Sequence, residues 1–101
     1  MASLMDLFDL TGKVALTTGS SIGMGRAVAE GLAIAGAKVV ISSRKGDVCE
    51  QTAEEINSLC GEQRAIGIAC NIGYKGQLQS LVDQTHEQLG QIDILVNNAG
   101  V

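Results

Sequence analysis

The sequence predicts an α/β fold, a parallel sheet flanked by helices, from three observations. Short apolar runs recur at regular intervals along the chain. Between them lie stretches whose apolar residues fall three and four apart, the spacing of one helical face. Glycine stands where each of those stretches must stop, and the connections are short. Strand and helix therefore alternate as they do in folds built from right-handed parallel crossovers.

The first strand is predicted over residues 13–18, the run Lys-Val-Ala-Leu-Thr-Thr, which ends at Gly19. A helix follows, with Met24, Ala27, Val28, Gly31, Leu32 and Ala35 as its apolar stripe, and Gly36 stands where a C-terminal cap is wanted. Residues 38–43 form the second strand, and the continuous Val39-Val40-Ile41 suits a strand buried on both faces. Asp47 is the expected N-cap of a helix reaching Leu59, with Val48, Thr52, Ile56 and Leu59 facing inward; Gly61 breaks it. Residues 65–70 read as the third strand, with Ile66 and Ile68 as its bulky members. A third helix runs over residues 76–89 with Leu78, Leu81, Val82, Thr85 and Leu89 on its inner face and Gly90 beyond its end. Residues 92–96 (Ile-Asp-Ile-Leu-Val) complete the order β-α-β-α-β-α-β. No linker or low-complexity stretch interrupts it, so residues 1–101 are expected to form a single domain.

Composition bounds what such a domain can do. The 101 residues are 46% hydrophobic and 18% charged, which suits one globular domain and excludes a disordered tail, a coiled coil or a collagen-like repeat. With one Phe, one Tyr and no Trp, the core must be aliphatic, and stacking platforms for single-stranded nucleic acid are missing. A net charge of −4 argues against a general nucleic-acid or anionic-membrane surface. Cys49, Cys60 and Cys70, with one histidine and no C-x-x-C, do not read as a zinc site; reduced thiols are expected. The first ten residues carry Asp6 and Asp9 and no basic residue, so they lack a secretory n-region. No apolar run approaches the ~20 residues of a membrane helix. A soluble, cytoplasmic protein is the expectation.

The chemistry is concentrated after the first strand, in Thr18-Gly19-Ser20-Ser21-Ile22-Gly23-Met24-Gly25. A glycine triplet alone is weak evidence in a chain with 13 glycines. Its place between a strand and a helix is what gives it meaning. Gly19 permits a sharp exit from the strand, Gly23 lets backbone come close to a pyrophosphate, and Gly25 allows tight helix–sheet packing. Unpaired N–H groups and the dipole at the helix start favour a bound anion.

Three residues separate Gly19 from Gly23, unlike the commonest dinucleotide fingerprint. Thr18-Gly-x-x-x-Gly-x-Gly, followed at the fourth strand by Asn97-Asn98-Ala99-Gly100, resembles the short-chain dehydrogenase/reductase family. Leu10-Thr11-Gly12-Lys13-Val14-Ala15-Leu16 is similar to that family's lead-in. The resemblance implies a Rossmann-like parallel sheet with strand order 3-2-1-4 and a nicotinamide dinucleotide held where the strand order reverses. It implies cofactor contacts at Gly19, Ser21, Ile22, Gly23, Met24 and Gly25, at Asn71 and Ile72 after the third strand, and at Asn98, Ala99 and Gly100.

The end of the second strand selects the cofactor. A carboxylate there would accept from the ribose 2′-OH and repel a 2′-phosphate. The chain instead has Ser42-Ser43-Arg44-Lys45, and Arg44 can grip a phosphate with its fork while Lys45 adds charge. Ser43, Arg44 and Lys45 therefore read as NADP contacts, with NAD the second choice. One departure from the family weighs against a strong preference: Ile22 stands where NADP-using members often have a basic residue. Asn71 is a second departure, at the position where family members commonly have an Asp that binds the adenine amino group. An Asn oxygen can accept the same adenine bond.

His86, beside Asp83, Glu87 and Gln88, reads as a solvated helix residue, as do Glu54 and Glu55; Cys70 reads as buried filler. In the family a Tyr with a Lys four residues on is the acid/base for hydride transfer between the nicotinamide and an alcohol or carbonyl carbon. Tyr74 is followed four residues on by Leu78, so no catalytic residue is assigned within these 101. The expectation is a cofactor-binding portion that binds without turning over, truncated after the fourth strand. Ile92, Ile94 and Val96 would then form an apolar edge inviting self-association or homo-oligomers. A non-catalytic nucleotide-binding or interaction module acting through that edge is the alternative. A methyltransferase-like domain ranks third, because it leaves Asn97–Gly100 unexplained. A continuation containing Tyr-x-x-x-Lys would favour the enzyme.

Overall fold

In the computed structural model, which describes residues 9–19, 21, 23–71 and 74–97, strands and helices alternate in the predicted order. They are β1 (Val14–Thr18), α1 (Gly23–Ile34), β2 (Lys38–Ser43), α2 (Gly46–Cys60), β3 (Ala65–Ala69), α3 (Lys75–Leu89) and β4 (Ile94–Asn97). All pairings are parallel and the sheet order is β3-β2-β1-β4, as expected. No helix among the described residues is long and apolar enough to cross a membrane.

Successive side chains of a strand point to opposite faces, so β1 and β2 feed two cores. Ala15, Val39 and Ile41 pack with Ala29, Ala33, Cys49, Ala53 and Ile56 beneath α1 and α2. Leu16 and Val40 pack with Ile68, Cys70 and Leu81 on the other face, beneath α3. Every residue of β1 is buried, as a strand covered on both faces requires. Each large aliphatic side chain removed from water in this way contributes about 1.5–3 kcal/mol. None of the three cysteines is in a disulfide.

The helical faces differ from the periodic reading in an instructive way. On α1 the buried residues are Gly25, Ala29 and Ala33, while Met24 is 76% exposed and Ala27, Val28 and Gly31 also face outward. Leu32 and Ala35 are half-buried. The helix is apolar nearly all round, so spacing alone cannot choose a face. Packing chooses the row of smallest side chains, which lets the helix axis come closest to the sheet. On α2 the inward residues are Cys49, Thr52, Ala53 and Ile56; Val48 is half-buried and Leu59 exposed. On α3 Leu81 and Thr85 are buried, Val82 and Leu89 half-buried, and Leu78 exposed.

Boundaries shift by a residue or two for local reasons. Asp47 does not cap α2: Lys45 holds the N-cap position in an extended conformation without a side-chain bond, and Asp47 lies in the first turn, where its charge complements the helix dipole. β3 ends at Ala69, one residue short of Cys70, and β1 begins after Lys13. β4 begins at Ile94, and Asp93 just before it extends the pairing with β1: its N–H donates to Val14 O at 2.8 Å, while its carboxylate, in place of a backbone carbonyl, accepts from Val14 N at 2.9 Å. Along this edge Ile94 and Val96 are half-buried and Leu95 is the exposed apolar residue, the reverse of the expected alternation.

Asn57 fixes α2 to the start of β3. Its Oδ1 accepts from the N–H groups of Arg64 and Ala65, both at 2.7 Å, and its Nδ2 donates to Ala65 O at 3.0 Å. Close approach of α2 to β3 continues at Gly67, where an added Cβ would lie 2.6 Å from the backbone carbon of Cys49 and 2.7 Å from Glu50 N. Gly67→Ala should therefore cost about 2–3 kcal/mol by overpacking, a fall of roughly 10 °C or more in Tm for a domain of this size. Gly76→Ala, on the exposed side of α3 with nothing within 4 Å, should instead stabilise by up to ~1 kcal/mol. Thermal unfolding followed by circular dichroism checks both signs.

Candidate functional site

The parallel registers bring the carboxyl ends of all four strands to one side of the sheet. Thr18 stands opposite Asn97 on one flank and Ser42 on the other, and Ser42 stands opposite Ile68. The turn leaving β1 opens there. Gly19 has φ +61° and Gly23 φ +62°, left-handed values that cost an L-residue roughly 1–2 kcal/mol. Two glycines of the motif are thus demanded by backbone conformation. The third, Gly25, is buried on the sheet side of α1, the close-packing place expected of it. Met24 is exposed in the first turn, where helical N–H groups have no partner within the helix.

The end of β4 is tied to this turn. The Thr18 hydroxyl, buried to 4% exposure, lies 3.1 Å from Asn97 Oδ1, to which it donates, and 3.4 Å from Val96 O. The two sequence motifs therefore meet at Asn97, as expected. Of the remaining expected contacts, Asn98, Ala99, Gly100, Ile22 and Ile72 lie outside the described residues. Ser21 is buried, Ser43 and Asn71 are half-buried, and Arg44 and Lys45 are exposed beyond β2. Among the described residues neither Arg44 nor Lys45 forms an ion pair. Ser43 Oγ accepts from Lys45 N at 3.3 Å and lies 3.2 Å from Cys49 Sγ, which shapes the turn into α2. Asn71 N donates to Gln77 Oε1 at 2.8 Å, so α3 fixes the chain leaving β3.

Two contacts were not anticipated. The Thr52 hydroxyl donates to the carbonyl of Ser21 at 3.1 Å, and Glu55, one turn on, pairs with Arg26 at 2.6 Å. Glu55 is thus engaged with α1 rather than merely solvated. Thr52 and Glu55, three apart, share a helical face, but both partners lie on other elements, so the sequence pattern does not show the contacts. His86 and Tyr74 are exposed, at opposite ends of α3. Burial pushes the Cys70 thiol up, so it stays protonated at neutral pH and serves as core filler. No group of three or more His, Cys, Asp or Glu among the described residues could hold a metal ion.

The opposite end of the sheet carries a groove of about 330 Å³ that includes Thr11, Lys13, Gly36, Lys38, Arg64 and Gln91. Arg64 there is engaged with Glu62 at 2.6 Å and with Ala33 O at 2.9 Å. Gly12 and Gly36 in this groove also have positive φ, but no helix begins there: the groove lies beyond the C-terminal ends of α1 and α3, where the dipole disfavours an anion.

A parallel sheet of order β3-β2-β1-β4 with a glycine turn at the switch between β1 and β4 defines a Rossmann-like α/β protein. Residues 13–101 match the short chain dehydrogenase family model. Over 102 aligned residues the chain is 37% identical to 2-dehydro-3-deoxy-D-gluconate 5-dehydrogenase of Formosa agariphila, covering 96% of this chain and 36% of the relative. The crystal structure of hydroxysteroid dehydrogenase from Escherichia coli superposes with a TM-score of 0.88 at 40% identity, over 95% of this chain and 40% of that one. L-sorbose reductase from Gluconobacter frateurii, solved with NADPH and L-sorbose, gives 0.87 at 36% identity, over 93% of this chain and 35% of that one. The chain belongs to the short-chain dehydrogenase/reductase family. It spans little more than a third of the length of the relatives it matches.

The pairing that builds the site is sensitive to acid. The Val14 N–H holds the Asp93 carboxyl below its ordinary value of 3.8, helped by Gln91 and by the charge of Lys13 and opposed by desolvation. A carboxyl lowered in the folded state stabilises the fold above its unfolded value, and that contribution fades as pH falls through the folded one. Asp93→Asn should therefore lower Tm at neutral pH and flatten its decline below about pH 4. Melting curves between pH 7 and pH 2 check this; an equally steep decline in the variant would remove Asp93 from the account.

Proposed function

We propose that this chain is the cofactor-binding part of an NAD(P)-dependent oxidoreductase acting between an alcohol and a carbonyl. The observation carrying this reading is the pair of left-handed glycines at the mouth of α1, beside the Asn97 end of β4. A dinucleotide fits that arrangement: Gly19, Ser21 and Gly23 with the first turn of α1 would hold the diphosphate, and Asn71 would accept from adenine; the family resemblance assigns the ribose to Asn98. Family membership and the NADPH in the L-sorbose reductase structure support it. When bound, the nicotinamide supplies or accepts the hydride. This chain's residues bind and orient it; within residues 1–101 no Tyr is followed four positions on by Lys, and no proton-transfer residue is assigned here.

Arg44 and Lys45, exposed beyond β2 with no acidic residue before Asp47, favour a 2′-phosphate and hence NADP over NAD. The exposed Leu95 on edge strand β4 favours self-association of the 101-residue chain through that edge, which sedimentation at tens of micromolar would show as dimers or larger species.

A charge-assisted fork to a phosphate is worth about 1.5–3 kcal/mol, roughly 10–100-fold in Kd. Arg44→Asp should weaken NADPH by that factor and leave NADH unchanged or tighter, read by cofactor fluorescence. Tighter NADH binding by the unmodified chain, or unchanged NADPH binding by the variant, would reverse the cofactor assignment.

A further inference from the structure

Two threonines are fully enclosed within helices, and they use their hydroxyls differently. Thr85 on α3 donates to Leu81 O at 2.8 Å, the ordinary bond of a buried helical threonine to its own preceding turn. Thr52 on α2, 2% exposed, bypasses its own helix and donates to Ser21 O, 31 residues earlier in the chain. Valine would fill the same space, so the hydroxyl at residue 52 answers to the carbonyl and not to the packing.

That carbonyl lies between Gly19 and Gly23, both at left-handed φ. A turn hinged on two glycines has wide conformational freedom, and a turn that must present N–H groups to an anion binds better when it is already ordered. The Thr52 bond therefore ties the middle of the glycine turn to α2. One turn further along, Glu55 grips Arg26 in the first turn of α1. The same helix begins directly after Arg44 and Lys45. From this geometry we propose that Thr52 is a positioning residue for the dinucleotide: through Ser21 it sets the glycine turn in its diphosphate-binding form. The inference rests on the cofactor reading above.

The test compares NADPH with adenosine 2′-phosphate, which carries the 2′-phosphate but no diphosphate, on the full 101-residue chain. Thr52→Val should weaken NADPH about tenfold, the effect of one lost hydrogen bond to a buried carbonyl. Adenosine 2′-phosphate should bind that variant as it binds the unmodified chain, and Thr52→Ser, which keeps the hydroxyl, should restore NADPH to within about twofold. Unchanged NADPH binding in Thr52→Val, or equal weakening of both ligands, would overturn the inference while leaving the cofactor reading intact. An unmodified chain that binds no dinucleotide would remove both.

Discussion

The parallel pairing of β1 with β4 is the constraint on which the site depends. These strands lie far apart in sequence, and nothing local brings them together. Two side chains fix their register at opposite ends: Asp93 exchanges bonds with Val14 where the pair begins, and Thr18 reaches Asn97 where it ends. Slip that register and the glycine turn no longer faces the Asn97 end. The site is therefore a consequence of sheet topology first and of its own residues second.

Around that pairing the packing has a consistent logic. The strands supply bulk, with Leu16, Val39, Val40 and Ile41 fully buried, and the first helix supplies small residues, Gly25, Ala29 and Ala33. Large against small brings α1 close to β1, which places the start of α1 immediately beyond the end of that strand. The second helix follows the same economy at Gly67 and anchors β3 through Asn57. Its inner face then has a buried hydroxyl to spare for the glycine turn.

Much of this is legible in the sequence, and the physical reasons separate what is from what is not. Element order and sheet order follow from apolar runs, stop glycines and crossover handedness, which are properties of backbone and pattern. Gly19 and Gly23 are legible because only glycine sits comfortably at φ near +60°. The inward face of α1 is not, since Met24, Val28, Ala29 and Ala33 are all apolar and depth of approach decides among them. Nor is the exposure of Leu95: Ile94 and Val96 turn toward the packed face of the sheet, and which face of an edge strand is covered depends on the helices and not on the strand's own alternation. Thr52 and Glu55 read as one interior and one surface residue, because their partners, Ser21 and Arg26, lie on another element. Long-range polar contacts of this kind leave no periodic trace.

The central claim is that a dinucleotide diphosphate lies against the glycine turn at the carboxyl ends of the strands. Backbone amide shifts measured during an NADPH titration test it most directly. The account predicts that the largest changes fall on Gly19, Ser21, Gly23, Arg44 and Asn97. Changes confined to Lys13, Gly36, Lys38 and Arg64, around the groove at the other end of the sheet, would contradict it.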